Sequence, residues 1–181
     1  IFAKAVNCLG LKEGEPCGNC QVCNEISSGS FLDLIEIDAA SNRGIDDIRD
    51  LKEKILYSPN LGKYKVYIID EVHMLTAEAF NALLKTLEEP PSHAIFILAT
   101  TEMHKIPLTI LSRCQRLDFS KLESEKIFIG LKAIAENEKI KINDDSLRKI
   151  VTLSEGSVRD ALSYLDQIAA FSGDTSVDLK L

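Results

Sequence analysis

The sequence predicts an α/β layer joined to a small helical bundle. Two short, almost wholly apolar runs, Lys65 to Asp70 (KVYIID) and Ala94 to Ala99 (AIFILA), have the composition of parallel strands covered on both faces. An amphipathic helical pattern lies between them, and strand alternating with helix indicates an α/β layer. Beyond Ser120 the pattern changes to three helical segments in succession.

Taken in order, Ile1 to Cys8 reads as helix interior with no capping residue before it, as expected of a chain that continues upstream. A cysteine-rich loop, Cys8 to Cys23, precedes Leu34 to Asp38, where apolar and acidic residues alternate as in a strand. Gly44 to Tyr57 places Ile45, Ile48, Leu51, Ile55 and Leu56 at helical spacing, and Pro59 follows as a stop. The helix between the two apolar strands starts at Thr76, a good N-cap, runs through Phe80, Leu83, Leu84 and Leu87, and is halted by Pro90-Pro91. Pro107 opens a short helix to Arg113, and Gln115 to Phe119 reads as one more strand. The bundle helices are expected at Glu123 to Asn137, Asp144 to Leu153 and Ser157 to Phe171, which divides the chain into 1–119 and 120–181. The last ten residues (SGDTSVDLKL) read as a connector.

With 181 residues, 45% of them apolar, the chain has material for a core. A formal charge of -7 repels nucleic acid at long range, so any DNA contact has to come from a local basic site or from partner chains. No run of eighteen apolar residues and no secretory leader pattern is visible, so the expectation is a cytoplasmic protein with no membrane partner.

Cys8, Cys17, Cys20 and Cys23 form C-x8-C-x2-C-x2-C. In a reducing cytosol disulfides are not expected, whereas four thiolates at this spacing can wrap a zinc ion, with Gly18 and Asn19 allowing the tight turn between ligands. An iron–sulfur cluster and free thiols are the alternatives, although in ferredoxins the fourth cysteine lies downstream and here it lies upstream. A closed four-cysteine site has no open position, so its role would be structural. Cys114 stands apart and reads as a small buried hydrophobe.

Val66 to Glu71 puts two carboxylates, Asp70 and Glu71, at the carboxyl edge of a buried strand, where open α/β sheets place ligand sites. Burying two adjacent acids there without a role would be costly. In nucleotide-hydrolysing enzymes an Asp at this place helps hold Mg²⁺ and a following acid orients the attacking water. Capping of the next turn by Asp70 beside a solvated Glu71 explains the same pair structurally.

The string YIIDEVHMLTAEAFNALLKTLEEPP, then FILATTE, ILSRC and EGSVRDALS, resembles the AAA+ ATPase subunits of the bacterial DNA polymerase III clamp loader, of gamma/tau type. The cysteine cluster matches that family's zinc module, and DAASNRGIDDIRDL resembles the segment before its second core helix. The resemblance implies a RecA-like AAA+ core, here a partial parallel sheet flanked by helices, with an inserted zinc module at 8–23 and a three-helix lid. It implies that Asp70 coordinates Mg²⁺ and Glu71 activates water. Thr101 matches the sensor-1 position, with Thr100 alongside; strand-end capping by hydroxyls is the plainer explanation of both. Arg113 in Ser-Arg-Cys is similar to the trans-acting arginine finger, and otherwise is an ordinary surface arginine. Arg159 resembles the sensor-2 arginine that contacts nucleotide phosphates, though a Ser157 cap opening a charged helix accounts for the same residues. For DNA, Asn42, Arg43 and the helix end near Gly44 are candidates, opposed by Asp46 and Asp47.

The resemblance implies ATP and Mg²⁺ in the intact protein, with the other clamp-loader subunits (delta, delta prime, further gamma/tau copies), the sliding clamp and primer-template DNA as partners. No G-x-x-x-x-G-K-[ST] segment exists in these residues, so the chain alone is expected to be inactive as an ATPase. The family's sheet places a further strand between those assigned to 94–99 and 115–119, so these two are not expected to pair with each other. A non-hydrolysing subunit of delta-prime type and a zinc-dependent interaction module are the competing readings. The paired acids argue against the first, and the paired acids together with Thr101 against the second.

Overall fold

The computed structural model describes residues 1–172, which fall into two compact units divided between Arg116 and Leu117. In the first unit the order is α1 (Phe2–Asn7), α2 (Gln21–Ser28), β1 (Leu34–Asp38), α3 (Ile45–Ile55), β2 (Lys65–Asp70), α4 (Ala77–Glu88), β3 (Ala94–Leu98) and α5 (Leu108–Leu111). The strands form one parallel sheet in the order β1-β2-β3. Tyr67, Ile69, Ala94 and Phe96 face one side, where Ile48, Leu51 and Ile55 of α3 and Ala79, Phe80 and Leu83 of α4 complete a core. Each buried Ile or Leu among them contributes about 1.5–3 kcal/mol. Tyr67 stacks on Phe96 with ring centroids 5.4 Å apart, which ties β2 to β3 through their side chains as well as their backbones.

The register sets Asp38 opposite Asp70 and Ile69 opposite Leu98, so the carboxyl ends of all three strands finish at one level. At the opposite edge Asp33, fully buried, accepts the backbone N–H groups of Asn60, Leu61 and Gly62, each at 2.8 Å, while its carbonyl accepts Val66 N at 2.7 Å. Buried among these N–H groups, and with Lys65 nearby, the carboxyl would be raised by desolvation but is held below its usual range by those donors. Asp33 thereby fixes where β2 begins against β1. Asn7 adds a second tie, its side-chain oxygen accepting Tyr64 N at 2.8 Å.

Thr76 caps α4 as expected, its hydroxyl accepting Ala79 N at 3.2 Å. Leu56, counted into the apolar stripe of α3, lies past the last turn and is exposed. The helix opened by Pro107 ends at Leu111, short of Arg113. The strand expected over Gln115 to Phe119 does not form: the segment is in no sheet, and Leu117 and Phe119 are exposed. A strand needs a ladder partner for its backbone groups, and β3 pairs only with β2 among the described residues. The helix α2 was not expected. Cys20 is its N-cap, Gly29 closes it at φ 72°, and Val22 and Cys23 face inward.

The second unit is a bundle of α6 (Ser124–Asn137), α7 (Asp144–Leu153) and α8 (Val158–Ser172). Its core comprises Ile127, Phe128, Leu131, Ala135, Leu147, Ile150, Val151, Ala161 and Leu165. Asn143 caps α7 through Ser146 N at 2.8 Å, and the Ser157 hydroxyl accepts Asp160 N at 3.3 Å at the start of α8. The connector read at SGDTSVDLKL lies almost wholly outside the described residues.

Candidate functional site

At the carboxyl end of β2 the chain turns sharply. Glu71 adopts left-handed backbone angles, φ 46° and ψ 44°, which a side chain with a Cβ rarely takes and which costs about 1 kcal/mol or more. The kink opens a short 3₁₀ turn, Val72–Met74, and its backbone is pinned to the neighbouring strand: Val72 N donates to Ala99 O and Ala99 N to Ile69 O, both at 2.9 Å. Thr100 and Thr101 are thereby carried to the side of Glu71. The Thr101 hydroxyl donates to Glu71 Oε2 at 3.1 Å, and Thr101 N lies 3.5 Å from the same oxygen.

Asp70 is exposed and Glu71 is 37% exposed at its side chain, so the two acids stand at the strand end in reach of solvent and not in the core. Neither acid therefore bears the cost of burial expected from its place after an apolar strand. Asp70 Oδ1 accepts Glu71 N at 2.9 Å. Alongside, Asp38 is held below its usual range by the Ser41 hydroxyl and Ala40 N. A residue to which the sequence reading gave no role completes the group: His73, 7% exposed at its side chain, places Nδ1 3.2 Å from Glu71 Oε2 and 3.0 Å from Thr100 Oγ1, and Nε2 3.1 Å from Glu102 Oε2. Glu102 in turn is held below the usual carboxylate range by Lys105, 2.6 Å away. The available signal was the proximity of His73 to two acid-bearing segments, DEVH and TTE, at adjacent strand ends.

The structure thus brings Asp70, Glu71, Thr100 and Thr101 together. Arg113 is engaged elsewhere: its guanidinium donates to Thr109 O at 2.6 Å and pairs with Glu88 at the end of α4. Arg159 is an exposed residue in the first turn of α8, in the second unit. Asn42 donates to Asp38 O at 3.0 Å and Arg43 Nε to Met74 O at 3.2 Å. At the adjoining amino end of α3, Gly44 N is taken by the Asp47 carboxylate at 3.0 Å.

The cysteines form a separate centre. Glu13 and Gly14, at φ 50° and 86°, make a tight turn between Lys12 and Glu15 that folds Cys8 back toward Cys17, and Gly18 turns at φ 74°. The four sulfurs lie within 4.8 Å of one another. Sulfurs about 2.3 Å from a shared tetrahedral ion would stand just under 4 Å apart, so the cage has the size for one. Backbone N–H groups point at the sulfurs, with Cys17 N 3.2 Å from Cys8 Sγ and Cys20 N 3.4 Å from Cys17 Sγ. The N–H groups of Cys23 and Leu9 bring the Cys20 thiol down to about 6, and those of Asn19 and Cys20 lower Cys17. Burial pushes Cys23 up to about 12. A cation bound among the sulfurs would favour the thiolate form of all four.

Nearly all of the chain aligns with known proteins. Residues 1–123 match the family model "DNA polymerase III, delta subunit", and residues 126–174 match "DNA polymerase III clamp loader subunit, ATPase lid domain". The chain belongs to the clamp-loader subunit family of DNA polymerase III. Within it, the tau subunit of Bacillus subtilis is 58% identical over 174 residues, covering 96% of this chain and 31% of that protein, so the chain spans less than a third of this relative. The crystal structure of a gamma subunit-related protein from Thermotoga maritima is similar with a TM-score of 0.59 and 32% identity, covering 81% of this chain and 48% of that one. RuvB of Thermotoga maritima, a Holliday junction branch migration motor, superposes with a TM-score of 0.66 at 17% identity over 84% of this clamp-loader chain and 52% of its own. That likeness shows the shared fold: a parallel sheet flanked by helices.

Proposed function

We propose that this chain supplies the hydrolysis residues and lid of the ATPase motor subunit of the bacterial replicative clamp loader, of gamma/tau type. The intact protein would couple ATP binding and hydrolysis in the cytoplasm to loading of the sliding clamp on primer-template DNA. Its partners would be delta, delta prime and further gamma/tau copies. The observation that carries the reading is the Glu71 carboxylate at the end of β2, oriented by the Thr101 hydroxyl from the end of the adjacent strand.

Asp70, exposed at the strand end with one oxygen on Glu71 N, suits a role in holding Mg²⁺, which when bound neutralises charge on the phosphates. Glu71 orients and deprotonates the attacking water, and Thr101 holds the carboxylate in line for it. Thr100 supports the strand end, accepting Glu102 N at 3.0 Å. Arg113 acts in trans as the arginine finger on a neighbouring subunit, and Arg159 contacts phosphates from the lid. Asn42 and Arg43 are the DNA candidates of the assembly. The cysteines hold a structural zinc ion that fixes the loop between α1 and α2; their closed, four-sulfur donor set suits zinc and leaves no place for substrate.

Because the sequence holds no phosphate-cradling G-x-x-x-x-G-K-[ST] segment, these 181 residues alone neither bind Mg-ATP tightly nor hydrolyse it. The match of residues 1–123 to a delta-subunit model favours a second reading, a non-hydrolysing subunit. Calorimetry with Mg-ATP and steady-state hydrolysis by the full-length subunit decide between them. The motor reading expects binding by the full-length protein, and retained binding with hydrolysis lowered at least a hundredfold in E71Q. No binding by the full-length protein would establish the second.

A further inference from the structure

The imidazole of His73 is almost fully buried, and a buried polar ring is tolerated only where its nitrogens find partners. Here Nε2 is anchored to Glu102 at 3.1 Å, and Glu102 is itself tied to Lys105. The backbone beneath the ring is fixed by Val72, buried, with its N–H on Ala99 O. On its other side Nδ1 meets Thr100 Oγ1 at 3.0 Å and lies 3.2 Å from Glu71 Oε2, the same oxygen that receives the Thr101 hydroxyl. Glu71 is partly exposed and has three side-chain torsions, so its carboxylate would sample several rotamers without such contacts. These contacts on one oxygen restrict the rotamers of the carboxylate and leave the other oxygen available to a water.

We infer that His73 is a positioning residue for the hydrolytic step. It holds Glu71 in the orientation that Thr101 completes, and it does so through the carboxylate, without touching the nucleotide. The inference rests on the proposed role of Glu71. Nothing in it depends on the phosphate-binding segment, since every partner of His73 lies at the ends of β2 and β3.

The test uses the full-length subunit in its assembled clamp loader, with kcat and KM for ATP, ATP affinity and melting temperature measured for H73A, H73N, H73Q and E71Q. An asparagine amide nitrogen falls where Nδ1 lies and restores the Glu71 side. A glutamine amide falls near Nε2 and restores only the Glu102 side. H73A and H73Q are expected to lower kcat roughly tenfold to a hundredfold, with KM and ATP affinity changed less than about twofold, and H73N to recover most of the loss. If H73A fails to assemble, the contrast between H73N and H73Q decides. Equal losses in H73N and H73Q, or losses that follow ATP affinity or melting temperature, would mean a structural role and overturn the inference. So would normal kcat in all the His73 variants while E71Q is inactive, which leaves the reading of Glu71 standing. Normal hydrolysis by E71Q would remove that reading, and this inference with it.

Discussion

Replacing Asp33 with asparagine isolates the contact that sets the start of β2. The carboxylate is fully buried and takes three backbone N–H groups, Asn60 on Oδ1 and Leu61 and Gly62 on Oδ2, all at 2.8 Å. Asparagine keeps one oxygen. If that oxygen stays on Leu61 and Gly62, each bond loses its charge assistance, about 1 kcal/mol apiece, and Asn60 N–H is left facing an amide NH₂, at about 1–3 kcal/mol. The total, about 3–5 kcal/mol, is a large part of the about 5–15 kcal/mol that holds a domain folded. Urea unfolding followed by tyrosine fluorescence reads it directly, because Tyr57, Tyr64 and Tyr67 lie in the first unit and the chain has no Trp. The pH dependence follows from linkage. The folded carboxyl titrates below its ordinary value of 3.8, so its contribution is present above that pH and is lost as pH falls through the lower, folded value. The difference between the wild-type chain and D33N should therefore be flat from pH 7 to about 5 and shrink below about 4. A difference under about 1 kcal/mol at pH 7, or one that grows on acidification, refutes the reasoning.

Two further substitutions probe neighbouring features. C20S keeps an N-cap for α2, since serine is a strong cap and Cys20 already accepts Cys23 N, yet removes one of four sulfurs. It should abolish stoichiometric zinc measured by metal analysis while far-UV dichroism of the helices changes little; full zinc retention would exclude Cys20 as a ligand. G62A brings a Cβ to 2.8 Å from Asn7 Oδ1 and 2.9 Å from Phe31 Cζ, so it should destabilise by about 1–3 kcal/mol in the same urea assay. A neutral G62A would mean that the tie from Asn7 to Tyr64 N yields without cost.

Where burial dictates pattern, the fold was legible. β2 is a continuous apolar run because both its faces are covered, and α4 announces itself through Thr76 at one end and Pro90-Pro91 at the other. Gln115 to Phe119 has a composition that fits a strand equally well, but a strand is a property of two segments and no composition of one segment shows its partner. The helix α2 was hidden for a different reason. Cys20 and Cys23 serve at once as metal-ligand candidates and as the cap and first inward turn of a helix, and the ligand spacing drew the reading toward a loop.

The site divides along the same line. Asp70, Glu71 and Thr101 lie at strand ends, and parallel register alone brings strand ends level, so their meeting could be read from two apolar runs and the residues that follow them. His73 could not be placed that way. Residues 71–74 follow neither the period of two nor that of 3.6, because Glu71 takes a left-handed turn and the next three residues form a 3₁₀ turn. Had β2 continued extended, Glu71 and His73 would project side by side from one face with their side chains parallel. The kink at Glu71 instead turns the imidazole back on the carboxylate two residues before it and on Thr100 and Glu102 of the neighbouring segment. The strain at Glu71 and the contact of His73 are thus one feature: the backbone angle that a side chain normally avoids is what lets a buried ring and a strand-end hydroxyl hold the same oxygen.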